Sequence, residues 1–251
     1  MNVLGIDIGG TGVKGAPVNT QDGSLLADRL RIPTPDPATP EAVADVVRQI
    51  AEHFDWKGPI GSTIPARVEH GLVRTAANIH EDWINTQVDD LFSKATGCPV
   101  TVLNDADAAG LASMRFGTGK ELDGLVFFIT VGTGIGSAMF YNQVLIPGTE
   151  LGHLPLKGGA AEEYASNRIR VEKDLSWKKW ARRFQKYLDR IEFLFAPDTI
   201  IIGGGVSRPA KVKEYWHYLS TRATLIPAEL ENEAGIIGAA AAAAGGLRAN
   251  P

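Results

Sequence analysis

Three glycine-rich stretches, residues 9–12, 132–136 and 203–205, each close a run of apolar, β-branched residues. Glycines at the end of a buried strand let backbone N–H groups approach an anion closely. Any one of these stretches alone reads as a turn, but three of them, each ending a strand, point to phosphate handling. Asp7 stands inside the otherwise apolar Val3-Leu4-Gly5-Ile6-Asp7-Ile8, immediately before the first turn, where an unpaired buried carboxylate is costly. Mg²⁺ beside phosphates is the expected partner of Asp7, and bonds from neighbouring N–H groups are the alternative. Gly10-x-Gly12-x-x-Gly15 satisfies the dinucleotide-binding pattern formally. That motif needs a helix after its second glycine, which Gly15 and Pro17 forbid.

A second chemical signal is charge. Residues 168–190 carry nine Lys and Arg against Glu172, Asp174 and Asp189, a surplus of +6, while the whole chain carries −4, so the other residues sum to −10. On the helix expected from Ser176, one side holds Trp177, Trp180, Ala181, Phe184, Leu188, Ile191 and Phe195. The other side holds Lys178, Lys179, Arg182, Arg183, Lys186 and Arg190. Set against an acidic background, this basic face fits a long polyanion, although a basic run is most often a solvated face. The acidic total argues against a general nucleic-acid binder.

The elements that position these residues alternate. Val3–Ile8 and Val13–Val18 form a hairpin around the first turn, and Leu125–Val131 with Ser137–Tyr141 repeat the design around the second. Thr11 and Thr133 lie 122 residues apart, close to half of the 251 residues, which suggests two related halves. A helix is expected over Glu41–Phe54 and a strand over Val100–Leu103, followed by Asn104-Asp105-Ala106-Asp107 and a small-residue helix. The Ser176 helix runs to Phe195 and is stopped by Pro197; a strand Thr199–Ile202 and an alanine-rich helix Gly235–Ala244 complete an α/β chain. No apolar run approaches the roughly 18 residues that span a bilayer. The sequence is therefore expected to be cytoplasmic, without a membrane partner.

Taken together, Asp7-x-Gly9-Gly10-Thr11, Asn104-Asp105-Ala106, Val131-Gly132-Thr133-Gly134-Ile135-Gly136, Glu150-Leu151-Gly152-His153 and Ile202-Gly203-Gly204-Gly205-Val206 resemble the ROK family of sugar kinases across nearly the whole chain. The resemblance implies an actin-like (ribonuclease H-like) duplicated fold of two α/β domains with a cleft between them. Residues 1–108 and 109–251 are the expected domains, and the last helix is expected to pack back on the first. It implies Asp105 as catalytic base and Asn78, Asn104, Glu150, His153 and Glu162 as sugar ligands. Asp7, Gly9, Gly10, Thr11, Gly12, Lys14, Thr133, Gly134, Gly204 and Gly205 become donor ligands, with Mg²⁺ on Asp7. A homodimer is implied by the family alone.

Members of that family commonly carry a cysteine-rich zinc motif after Glu-x-Gly-His. Here Cys98 is the only cysteine and the corresponding stretch is Leu154–Glu162, so no zinc is expected. This short segment, with Ala161-Glu162-x-x-Ala165-Ser166 and Leu175-Ser176-Trp177-x-x-Trp180-Ala181, resembles the branch that phosphorylates glucose, and in some members mannose, with polyphosphate or ATP. Lys178, Lys179, Arg182 and Arg183 are then the polyphosphate contacts.

The residues support the carry-over. Moving a phosphoryl group to a hydroxyl calls for a carboxylate to take the proton and cations on the donor oxygens. Asp105 supplies that carboxylate, whereas Asp107 starts the following helix and is expected to cap it. Glu150-x-x-His153 also has the spacing of a di-metal site, but Pro147, Gly148, Gly152 and Pro155 keep it in a loop, where it suits vicinal sugar hydroxyls. Two other readings stay open: a kinase that uses ATP alone, and a sugar-sensing regulator. The sensor is disfavoured because a strand already begins at Val3 and Asp105 is retained.

Overall fold

The computed structural model describes residues 1–76, 79–230 and 233–246. It divides into two compact units: unit 1 holds Met1–Ala112 and the C-terminal helix, and unit 2 starts at Ser113. The division falls inside a helix, a few residues beyond the expected boundary at 108.

In unit 1 the alternating apolar residues of Asn2–Gly9 (β1) and Gly12–Asn19 (β2) pair as an antiparallel hairpin with Leu30–Ile32 (β3) outside it. Ile60–Ile64 (β4) and Val100–Asn104 (β5) join in parallel, giving the order β3-β2-β1-β4-β5. Pro40–His53 (α1), started by Thr39 accepting from the Ala42 N–H, and Val88–Thr96 (α2) cover one face, burying Val47, Ile50 and Phe92 against Leu4, Ile6 and Ile60. Asp105–Phe116 (α3) leaves the end of β5.

In unit 2 Leu125–Val131 (β6) and Ile135–Tyr141 (β7) form the second hairpin, with Val144–Ile146 (β8) beside it. Thr199–Gly203 (β9) and Thr224–Pro227 (β10) add in parallel, so the order β8-β7-β6-β9-β10 repeats that of unit 1 strand for strand and direction for direction. Short helices Glu162–Ala165 (α4) and Asn167–Glu172 (α5) precede Trp177–Phe195 (α6). Ser176 caps α6 by accepting from the Lys179 N–H, and the helix ends in the left-handed Ala196 ahead of Pro197, as its sequence predicts. Trp180, Ala181, Phe184, Leu188 and Ile191 are buried against Phe127, Ile129 and Ile200. The fully buried Trp180 donates through Nε1 to the carbonyls of Ala165 and Ser166 at 2.9 and 3.2 Å, so α6 anchors the joint between α4 and α5. Truncating an indole in such a place costs about 3–5 kcal/mol.

Pro209–Tyr215 (α7) follows β9, and Ala234–Ala241 (α8) returns to unit 1, where it packs on β1 and β4 before a wider turn over Ala242–Gly246 that is broken at Gly245, whose φ is +99°. No helix among the described residues is long and apolar enough to cross a membrane.

Candidate active site

The first turn is the two-residue connection Gly10-Thr11 beyond the last paired residues, Gly9 and Gly12. The hairpin register sets Lys14 opposite Asp7, and β3 sets Arg31 opposite Lys14, which makes one cross-strand row of three charges. Lys14 Nζ lies 3.7 Å from Asp7 Oδ2, and Thr63 on β4 donates to Asp7 Oδ1 at 3.0 Å while accepting from the Ile8 N–H at 3.1 Å. The compensation that Asp7 requires in an apolar strand thus comes in part from Lys14 and Thr63. Arg31 crosses the turn and donates from Nη2 to the Thr11 carbonyl at 2.7 Å. Thr34 Oγ1 closes the other side by donating to the Gly9 carbonyl at 2.5 Å. Beside Gly9 and Gly10, a cavity of about 300 Å³ is lined by Ile8, Ile64, Ile79 and Trp83 together with Thr34 and Asp36.

At the carboxyl end of β5, Asn104 Oδ1 accepts from the N–H groups of Ala106 (2.8 Å) and Asp107 (3.3 Å), and its Nδ2 donates to the Ala66 carbonyl at 3.2 Å. Asn104, not Asp107, therefore caps α3: its side chain reaches two of the four orphan donors at the helix start. Asp107 is instead buried, 3% exposed, inside that turn. Asp105, the first residue of α3, is exposed, and its Oδ1 accepts from the Ala106 N–H at 2.8 Å. Asn78 lies outside the described residues.

In unit 2 the second turn, Gly132-Thr133-Gly134, is one residue longer than the first and is held from outside the hairpin. Glu162 at the start of α4 accepts the Ile135 N–H at 3.2 Å. Arg168 donates its backbone N–H to the Gly132 carbonyl and Nε to the Thr133 carbonyl, both at 3.1 Å. The Glu150-Leu151-Gly152-His153 loop makes a single 3₁₀ turn over Leu151–His153, pinned where the Leu151 N–H donates to Ser137 Oγ at 3.0 Å. Gly152 rests on the Ile135 carbonyl, where a Cβ would collide. The same backbone residue therefore orients both Glu162 and the Glu150–His153 pair, whose Oε2 and Nε2 stand 3.9 Å apart with His153 half-exposed.

The third turn follows β9, adjacent to β6, so the second and third turns share one end of the sheet. Gly204 has φ +77° and lies against the Val131 backbone, a position closed to a side chain. Lys211 on α7 donates to the Gly205 carbonyl at 2.7 Å, and burial, Arg208 and Arg170 together hold its ammonium pKa below the usual lysine value. Arg31, Thr63 and Lys211 were not singled out from the sequence, and Arg168 was read only as part of the basic run; Arg31 and Thr63 reach the first turn and Asp7 through sheet register, and Arg168 and Lys211 reach the second and third turns from neighbouring helices.

Lys178, Lys179, Arg182 and Arg183 lie on the solvent side of α6. Lys179, Arg182, Arg183 and Lys186 line a groove of about 560 Å³ with Tyr164 and Tyr218, while Lys178 Nζ sits 5.7 Å from the centre of the Tyr218 ring. Among the described residues, no three His, Cys, Asp or Glu side chains converge on a metal position.

The fold has solved counterparts. The inorganic polyphosphate/ATP-glucomannokinase of Arthrobacter sp. strain KM superposes with a TM-score of 0.90 at 45% identity, covering 97% of this chain and 98% of that one. A ROK family glucokinase of Streptomyces griseus, in complex with glucose and AMPPNP, gives 0.81 at 26% identity over 98% and 100%. These are sugar kinases of the actin-like fold, and the repeated five-stranded sheets place this chain with them. The ROK family model matches residues 3–165, and the chain belongs to that family. In sequence it is 47% identical over 240 residues to a polyphosphate glucokinase of Mycobacterium tuberculosis (strain CDC 1551 / Oshkosh), covering 95% of this chain and 90% of the relative.

Proposed function

We infer that the protein is a hexose kinase that transfers a phosphoryl group from inorganic polyphosphate or ATP to the 6-hydroxyl of glucose. The observation that carries this is the near-full-length likeness to polyphosphate glucokinases and to a polyphosphate/ATP-glucomannokinase, in a chain that keeps Asp105 on a capped helix N-terminus. Mannose as a second acceptor and action in the cytoplasm are part of the same proposal.

Asp105 takes the proton of the attacking hydroxyl, and Asn104 serves mainly as its positioning residue, since its amide is engaged by backbone groups on both sides. Glu150, His153 and Glu162 grip the sugar, with Asn78 assigned to the same task by resemblance. The glycine turns offer N–H groups to the donor, and Lys14 brings a cation beside them. The residues present fit Mg²⁺: Mg²⁺ is usually held by one or two carboxylates together with substrate phosphates, and Asp7 offers a partly exposed carboxylate at the first turn. When bound, the ion neutralises charge on the donor oxygens. Asp7 would hold it, with Thr63 fixing the orientation of the carboxylate.

The test is phosphorylation of a hexose panel with polyphosphate and ATP side by side. Glucose 6-phosphate formed from both donors is the expected result. A rate with ATP only would leave a conventional ROK glucokinase, and no rate with either would favour the sensor.

A further inference from the structure

We propose that the groove along the outer face of α6 is a separate binding site for the trailing part of a linear polyphosphate chain, distinct from the glycine turns that hold the reacting phosphates. The proposal rests on polyphosphate being a donor, as inferred above. Lys179, Arg182, Arg183 and Lys186 fall at i, i+3, i+4 and i+7, so one helix face presents four cations to one concavity of about 560 Å³. Among the described residues none of the four has a carboxylate within ion-pair distance, and Asp189, which also lines the groove, accepts from Gln185 Nε2 at 2.7 Å. Four cations gathered in a concavity, in a chain whose other residues are strongly acidic, concentrate the attraction for a polyanion there.

The aromatic lining selects the class of polyanion. The guanidinium of Arg183 lies 4.9 Å from the centre of the Tyr164 ring and also donates to the Tyr164 carbonyl at 3.4 Å; the ammonium of Lys178 lies 5.7 Å from the centre of the Tyr218 ring. Single-stranded nucleic acids are held by bases stacked on open aromatic faces. Here each ring already carries a cation over one face, and the charged groups that line the groove are four cations and Asp189. That suits a chain of phosphates without bases.

The groove is tied to the catalytic end of unit 2. Tyr164, its wall, is two residues from Glu162 on the four-residue helix α4, and Glu162 accepts the Ile135 N–H at the second glycine turn. A chain anchored at Tyr164 and Arg183 therefore stands on the element that also orients that turn. Long polyphosphate gains contacts here that tripolyphosphate and ATP do not reach, so the groove makes donor use depend on chain length.

The experiment compares KM for long-chain polyphosphate, tripolyphosphate and ATP in the parent and in a Lys179→Gln, Arg182→Gln, Lys186→Gln triple variant, which leaves Arg183 and its bond to Tyr164 in place. The long-chain KM should rise about tenfold or more, and the salt dependence of long-chain binding should flatten by roughly two to three counterions, because fewer cations release them. KM for ATP and tripolyphosphate should stay within about twofold, since these donors neutralise few distant cations. The single variant Arg182→Gln should flatten the salt slope by about one. An unchanged long-chain KM, or equal losses with all three donors, would overturn the groove while leaving the kinase assignment intact. Displacement of long polyphosphate from the parent by single-stranded RNA at equal charge concentration would also overturn it, in favour of a nucleic-acid site. A parent with no rate on polyphosphate of any length would instead remove the donor reading on which the proposal rests.

Discussion

The two hairpins share topology and glycine turns, yet they equip those turns in opposite ways. In unit 1 the charges lie on the strands themselves: two pairs back from the turn stand Asp7 and Lys14, with Arg31 beside them on β3. The corresponding pair in unit 2 is Ile129 and Ser137, neither charged. Unit 2 receives its charges from the helical segments that follow the hairpin: Glu162 from α4, Arg168 from α5 and Lys211 from α7. A duplicated backbone thus fixes where N–H groups can meet an anion. Which ion joins them depends on side chains that the two copies do not share. On the proposed function, the strand-borne pair in unit 1 would serve the metal and the reacting phosphate, and the helix-borne groups in unit 2 the sugar and the rest of the donor.

The largest effect that would break this division lies in unit 1. Asp105→Asn keeps the Asn104 cap and removes only the proton acceptor. Turnover should fall about 10²- to 10⁴-fold with sugar KM little changed. Turnover within a factor of a few of the parent would remove Asp105 as the base.

Unit 2 should answer in the other parameter. Glu150→Ala or His153→Ala leaves a sugar hydroxyl without its partner, a loss of about 1–3 kcal/mol, so the sugar KM should rise roughly ten- to hundredfold while the donor KM moves little. Steady-state kinetics at saturating donor would read this, and a rise in donor KM instead would place these residues at the wrong substrate.

A smaller effect separates the two turns as ion sites. Asp7→Ala removes the carboxylate proposed for Mg²⁺, and a magnesium titration of the rate should shift its midpoint severalfold upward, or about 1 kcal/mol. Glu162→Gln in unit 2 should leave that midpoint where it is. Superimposable magnesium curves for Asp7→Ala and the parent would show that Lys14 and Thr63 are the carboxylate's whole purpose.

What the sequence made legible follows from local rules. The hairpins, the three turns, the Ser176 cap and the Pro197 stop are each written in a few consecutive residues, and each is where it was expected. Thr63 and Arg31 were hidden because only parallel pairing of β4 and the register of β3 bring them to Asp7. The cap of α3 was misassigned to Asp107 because spacing alone does not show that the Asn104 side chain accepts from two N–H groups of the helix start while Asp107 is buried. The Asp7–Lys14 pair was within reach: counting outward from Gly9 and Gly12 sets them opposite each other.

The smallest prediction concerns stability and is confined to unit 1. Asp89 on α2 accepts the Val102 N–H at 3.0 Å, yet burial, reinforced by Asp90, pushes its carboxyl up to about 6 from 3.8 against the lowering effect of that bond. Between those two values the folded chain holds a proton that the unfolded chain has released, so stability falls as pH rises through the window and stays reduced at pH 7. Asp89→Asn retains an acceptor for Val102 and removes the buried charge. Because the side chain is only partly buried, the gain at pH 7 is discounted to about 1 kcal/mol, or roughly 2–4 °C in Tm. The difference between variant and parent should vanish near pH 4, where both side chains are neutral when folded. Thermal unfolding of the two proteins across pH 4 to 7 measures it directly. A gap that does not change with pH, or a variant less stable than the parent at pH 7, would show that Asp89 is fully solvated as an anion and that its environment is not the low-dielectric one described.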